Sequence, residues 1–285
     1  MMFKTYEIAH FLNQKNKKVN FYIDLMDTMP EPENMVFPHK HSFYEILLIT
    51  SGNSTQNIDY RVFEMQKNDL FFISKGQLHL FEDWATIDGY CLLFTEDFLL
   101  LNNNYQKFWL ELLFLDNLHQ KPFLSLTEAS FLHLKSYFDL LKNEFERETP
   151  NEEAQRALLF VLLTEIQRLY QNQNPVLQNT AYTLIFKHFI QLLENHFRES
   201  HTAKNYADLL NISNRHLNLV CQAIVNQPIT QLIQNRKILE AKRLLSFTDW
   251  SIGQIGEHLG FLDSAYFARY FKKETAISPT EFRNQ

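Results

Sequence analysis

The sequence predicts an α+β chain in three parts: a small all-β N-terminal part, a helical hairpin, and an all-α C-terminal part with two helix-turn-helix motifs. Three observations predict it. Short β-branched and apolar runs, separated by turn-prone residues, fill residues 18–95. From about Asn104 the apolar period changes to three and four. In the last hundred residues one pattern occurs twice, at an offset of 49 to 50. The expected boundaries are 1–103, 104–180 and 181–285.

The β reading rests on runs over 20–25, 43–50, 61–65, 70–73 and 89–94. Turn-prone stretches at 30–34, 51–54, 66–69 and 75–76 stand between them. Several short strands at close spacing favour a sandwich or barrel. The hairpin follows. Thr127 is placed to cap a helix whose apolar residues Phe131, Leu134, Phe138, Leu141 and Phe145 recur in steps of three and four. A second helix is expected over 152–170, with Leu158, Leu159, Leu162, Leu163, Ile166 and Leu169 on a wide face. So much apolar surface needs a partner, either the chain's own sheet or a second copy. Residues 171–180, polar with one Pro and no periodicity, read as a linker.

The repeat carries the C-terminal reading. Ala207 and Gly256 are small residues where two helices cross closely. Four residues later, Asn211 and Gly260 tolerate a left-handed backbone at a tight turn. Ser213 or Asn214, and Asp263 or Ser264, can cap the helix that follows. That helix has an apolar stripe, Leu217, Cys221 and Ile224 in the first copy and Phe267, Tyr270 and Phe271 in the second. Its other face is polar: Arg215, Asn218 and Gln222, then Arg269, Lys272 and Lys273. Between the copies, 229–247 reads as an amphipathic helix. At 1.5 Å per residue its length suits a spacer holding two helices about one DNA turn apart.

Charge agrees. The chain carries −6 overall, yet residues 183–285 hold 12 Lys+Arg against 9 Asp+Glu, whereas 1–182 hold 15 against 24. The basic balance is confined to the end with the repeat, which suits a nucleic-acid contact there.

Residues 237–245, 252–261 (Ile252-Gly253-Gln254-Ile255-Gly256-Glu257-His258-Leu259-Gly260-Phe261), 264–274 and 278–283 resemble the AraC-type regulator family closely. The resemblance covers about 185–285, and the rest agrees in layout only. It implies a sequence-specific DNA-binding transcription regulator. Base contacts are expected from Arg215, Asn218 and Gln222 in the first copy, where Asn214 is also expected to touch DNA, and from Ser264, Ala265, Ala268 and Arg269 in the second. Arg can fork onto guanine, Asn or Gln onto adenine, and Ala can meet a thymine methyl. Lys272, Lys273 and Arg283 are expected on phosphates. Asn226 and Ala276 depart from the Gly usual after each recognition helix, and Asn211 and Gly256 stand where Gly and Ala are more usual.

In the β part, alternation points His39, His41 and Glu45 the same way, and His79 follows a later turn. Two His, one Glu and a further His suit Fe(II), Mn or Zn. His-x-His-x₃-Glu-x₆-Gly, with the distant His, resembles the two metal motifs of cupin barrels, although Ser74-Lys75 replace the usual Pro and no matching Asn follows. The N-terminal part is therefore expected to be a cupin-like β barrel. Three readings stay open: a metal on His39, His41, Glu45 and His79; a pocket for an organic effector lined by some of His39, His41, Tyr44, Glu45, Phe72 and His79; or bare framework.

The leading reading is an effector-responsive regulator that is not an enzyme and needs no cofactor. The expected partners are double-stranded DNA, a small-molecule effector, a second copy of the chain and RNA polymerase. Alternatives are a cupin-type metalloenzyme with a helical tail, and a regulator whose β part only dimerises. Two widely separated cysteines, no basic-then-apolar leader and no long apolar run suggest a cytoplasmic chain with no membrane partner.

Overall fold

A computed structural model of the chain describes residues 5–12, 19–29, 38–59, 61–81, 83–100, 112–115, 121–173, 180–199 and 202–284. The expected linker over 171–180 lies mostly outside them. The chain divides into two compact units, Lys4–Pro175 and Val176–Gln285.

In the first unit, β1 (Thr5–Tyr6) pairs in parallel with β3 (Lys40–His41), and α1 (Ile8–Phe11) lies between them in sequence. The main sheet has the order β2 (Phe21–Leu25), β8 (Ile87–Phe94), β4 (Tyr44–Ile58), β6 (Asp69–Ile73), β9 (Phe123–Ser125). β4 is 15 residues long and serves two partner sets. Its first half pairs with β8 and β6, and its second half with β5 (Arg61–Gln66) and β7 (His79–Phe81).

This corrects two expectations. Residues 51–54 are strand, not turn. The register shifts between Ile49 and Ser51, a bulge that bends the strand without ending it. Gly52 sits there at φ +80°, where a Cβ would lie 2.1 Å from the Thr86 carbonyl oxygen. Turn-prone composition marks a bulge as readily as a turn. The second correction is closure. Among the described residues β2 and β9 remain edges, so the cupin-like sheet is bent but is not a closed barrel.

Alternation along β4 sorts the unit into two layers. Phe43, Leu47 and Ile49 enter a core with Met26, Ile58, Met65, Phe71, Ile73, Cys91 and Leu93. Tyr44 faces the other way and stacks on Phe94. Against that outer face lie α2 (Glu96–Leu100), α3 (Glu128–Phe145) and α4 (Glu152–Gln173). The Thr127 hydroxyl caps α3 by accepting from the Ser130 amide. Phe145 packs on Phe21 and Tyr22, Phe138 on Tyr90, and Lys142 pairs with Asp24 at 3.3 Å. The hairpin's apolar face is thus covered by the chain's own sheet.

The second unit is all helix: α5 (Thr180–His196), α6 (Ala203–Leu209), α7 (Asn214–Val225), α8 (Ile229–Phe247), α9 (Ile252–His258), α10 (Ser264–Thr275) and α11 (Pro279–Arg283). The spacer expected over 229–247 is one unbroken helix, α8, of 19 residues. Among the described residues no helix is long and apolar enough to cross a membrane.

Candidate nucleic-acid interface and buried ligand cluster

The two repeats match bond for bond. In α6–α7, the Ile212 amide donates to the Ala207 carbonyl at 3.0 Å and Asn211 to Asp208 at 3.0 Å. In α9–α10, Phe261 donates to Gly256 at 2.9 Å and Gly260 to Glu257 at 2.9 Å. Asn211 and Gly260 both have positive φ, 54° and 78°. Ser213 caps α7 and Asp263 caps α10 through side-chain oxygens. Gly256 is small because a Cβ there would lie 3.2 Å from that of Phe267. Both recognition helices end left-handed, at Asn226 (φ 53°) and Ala276 (φ 69°).

The stripes divide as the sequence predicts. Leu217, Cys221, Ile224, Phe267 and Phe271 are buried, and Tyr270 is partly buried against Phe261. Asn214, Arg215, Gln222, Ser264, Ala265, Arg269, Lys272 and Lys273 are exposed, and Ala268 is half-buried. Two residues are placed otherwise. Asn218 Oδ1 accepts from the Ile229 amide at 3.2 Å, joining α7 to the start of α8. The fork that reads adenine needs that oxygen free. Arg283 donates through Nε to the Leu245 carbonyl at 3.3 Å and through Nη2 to that of Trp250 at 2.6 Å. Its guanidinium ties α11 to the end of α8, a structural use that phosphate binding would have to break.

The sequence reading missed a buried charge network on α8. Arg236 donates to Glu194 at 2.6 Å and to Glu240 at 3.1 Å, and Arg243 donates to the same Glu240 oxygen at 3.1 Å. The Arg236 guanidinium also lies 4.0 Å from the centre of the Phe197 ring. The i, i+4 spacing of Arg236 and Glu240, and the i, i+3 spacing to Arg243, were its available signal.

In the first unit, His41, Glu45 and His79 come together, each buried, with ligand atoms all within 4.8 Å. His41 Nε2 is 3.0 Å from Glu45 Oε2, and His79 Nε2 is 4.0 Å from the same oxygen. His39 is buried beside them, its ring 4.5 Å from that of His79 and 6.2 Å from that of His41. Cys91 Sγ approaches Glu45 Oε1 at 3.7 Å. Burial, then the neighbouring His39 and His41, holds the His79 pKa well below the usual histidine range. Burial, then Glu45, pushes the Cys91 thiol well up, so it stays protonated. Tyr44 and Phe72, expected with this cluster, are on the other layer, on Phe94 and Phe114. The alternation that groups His41 with Glu45 puts Tyr44 opposite.

The family model described as a helix-turn-helix domain matches residues 206–285, and that of the AraC-like ligand binding domain matches 29–106. Together they span more than half of the chain. The chain belongs to the AraC-type transcription regulators. The HTH-type transcriptional regulator YfiF of Bacillus subtilis is 26% identical over 286 residues, covering 98% of this chain and 87% of that one. The HTH-type transcriptional activator RhaR of Salmonella dublin is 22% identical over 253 residues, covering 89% of each. Among solved structures, ToxT from Vibrio cholerae has a TM-score of 0.42 at 14% identity, covering 93% of this chain and 98% of that one. Within this AraC-type regulator, the matched repeats form the DNA-binding domain and the cluster lies in the ligand-binding domain.

Proposed function

We propose that this regulator lays α7 and α10 into successive major grooves on one face of DNA, and that a ligand in the first unit biases the binding. The equivalence of the two turns carries the reading: identical backbone bonds and left-handed residues present both polar faces in the same way. At 1.5 Å per residue, α8 is about 28 Å long, near the 34 Å of a DNA turn. Arg215 and Gln222 in α7, and Arg269 in α10, are the side chains assigned to base edges. Asn214, Ser264, Ala265 and Ala268 line the helix starts, while Lys272 and Lys273 hold phosphates. Asn218 is assigned to the α7–α8 joint instead.

A second copy is proposed as partner. Leu132 and Leu140 on α3 and Val161 on α4 remain exposed although the rest of the hairpin packs on the sheet. An activator working this way would also meet RNA polymerase. The curated relatives are transcription regulators, and the chain is proposed to have no enzymatic activity of its own.

The test is operator affinity of Arg215→Ala and Arg269→Ala. Each is expected to weaken specific binding by about 1–3 kcal/mol if the guanidinium forks onto a base. Unchanged affinity in both removes the assignment. Non-specific binding should fall steeply with salt as counterions are released.

A further inference from the structure

The two recognition helices align position for position through their caps, Ser213 and Asp263. Arg215 then matches Ala265, Asn218 matches Ala268, Leu219 matches Arg269 and Gln222 matches Lys272. The backbones are equivalent at these places, but the side chains are not. The arginine assigned to a base stands at the second position of α7 and at the sixth of α10. Helices so unlike read different half-sites.

Leu219 is the apolar residue on the outer face of α7. Leu217, Val220, Cys221 and Ile224 fill the inner face and are buried. Leu219 is 50% exposed. At 3.6 residues per turn it lies about 40° around the helix from Arg215 and about 60° from Gln222. Asn218 lies at the edge of this face, with its Oδ1 tied to the Ile229 amide. Leu219 is therefore the side chain between the two assigned readers. Arg215 and Gln222 are separated by about 10 Å along the axis, roughly three base-pair steps of 3.4 Å, and Leu219 covers the middle of that stretch.

A leucine there selects one base. In the major groove the apolar group on offer is the thymine C5-methyl; the other edges present amino donors or carbonyl and ring-nitrogen acceptors. Leucine has no bond to give a donor or acceptor. It would strip water from such a group at a cost and return nothing. Against a methyl, loss of water is favourable on both sides. We propose that Leu219 reads a thymine methyl in the half-site under α7, between the base pairs met by Arg215 and Gln222. The inference rests on the proposed placement of α7 in a major groove, and it adds the base that the middle of the helix selects. At the matched position of α10, Arg269 selects guanine instead.

The full-length chain selects preferred duplexes from a random library. In a selected duplex each thymine is replaced in turn by uracil, which removes the methyl and keeps every hydrogen-bonding group. One thymine is expected to matter, between the positions whose base preference Arg215→Ala and Gln222→Ala relax. Uracil there should weaken binding about three- to fivefold, the effect of one buried methyl. Leu219→Ala stops short of the base from the same backbone position. It should bind the thymine duplex more weakly and treat thymine and uracil alike. Leu219→Gln should also lose that discrimination and shift the preferred base toward adenine, onto which a side-chain amide forks. Circular dichroism checks that both variants fold, as expected for an exposed position. If a sequence is enriched but no thymine shows a uracil penalty that depends on Leu219, the proposal is overturned and the groove placement stands. If the folded chain enriches no sequence, the groove placement falls and takes this inference with it.

Discussion

Two buried polar clusters, one in each unit, solve the same problem differently. On α8, Arg236 and Arg243 converge on Glu240, and Arg236 reaches Glu194 as well. Burial works against the Arg236 charge, yet Glu194 and Glu240 hold its pKa above the ordinary value. In the first unit, His41, Glu45 and His79 leave a buried nitrogen facing a carboxylate across 4.0 Å. A cluster of paired opposite charges fixes helices. A cluster that leaves a ligand atom open invites something else to close it.

The largest effect should come from opening the charge network on α8. Glu240→Ala leaves Arg243 buried and strips one of the carboxylates from Arg236, which should cost about 3–5 kcal/mol. Chemical denaturation, with hydrogen exchange separating the two units, measures it. A loss under about 1 kcal/mol would mean that water already reaches the network, and the contrast would fail. His79→Leu should cost less, about 1–2 kcal/mol, because the one hydrogen bond lost is that to Gln56. A cost as large as that for Glu240→Ala would break the comparison from the other side.

The sequence made these two clusters unequally legible. Strand alternation has a period of two and needs no partner, so His41 and Glu45 could be put on one face from spacing alone. The same rule should have placed Tyr44 on the opposite face. The turn of the helix-turn-helix was legible because it is local: small residue, left-handed residue and cap all fall within about seven positions. The Arg236–Glu194 pair joins residues 42 apart, on helices whose contact no local pattern specifies. For the same reason Arg283 read as a phosphate ligand until its carbonyl partners on Leu245 and Trp250 were in view. The bend in β4 was hidden because Gly52 serves a bulge with the same residue types that would serve a turn.

Satisfaction can also be tested on the backbone, with a smaller effect. The two recognition helices end alike, but Asn226 tolerates the left-handed region and Ala276 does not. Ala276→Gly should therefore stabilise the second unit by about 1 kcal/mol, whereas Asn226→Gly should change it by a few tenths at most. Equal gains at both sites would show that the two ends are not strained differently.

Lys237 sits beside the charge network on α8, and its effect is confined to high pH. It neighbours Arg236 on the same helix and is buried, with Nζ donating to the Leu259 carbonyl at 3.2 Å and lying 5.1 Å from the centre of the Phe261 ring. Burial pushes its pKa down to about 8 from the usual 10.5. Between those values the unfolded chain holds this proton more tightly than the folded one, so the Lys237 contribution to stability rises with pH. Below about pH 8 both states are protonated and the contribution is flat at its least favourable. The Tm of wild-type chain minus that of Lys237→Met should therefore increase from pH 8 to pH 10 and stay level from pH 6 to pH 7. A difference that is flat across the upper window would mean that the ammonium keeps its charge as fully as Arg236 does, and Lys237 would then belong with that charge network.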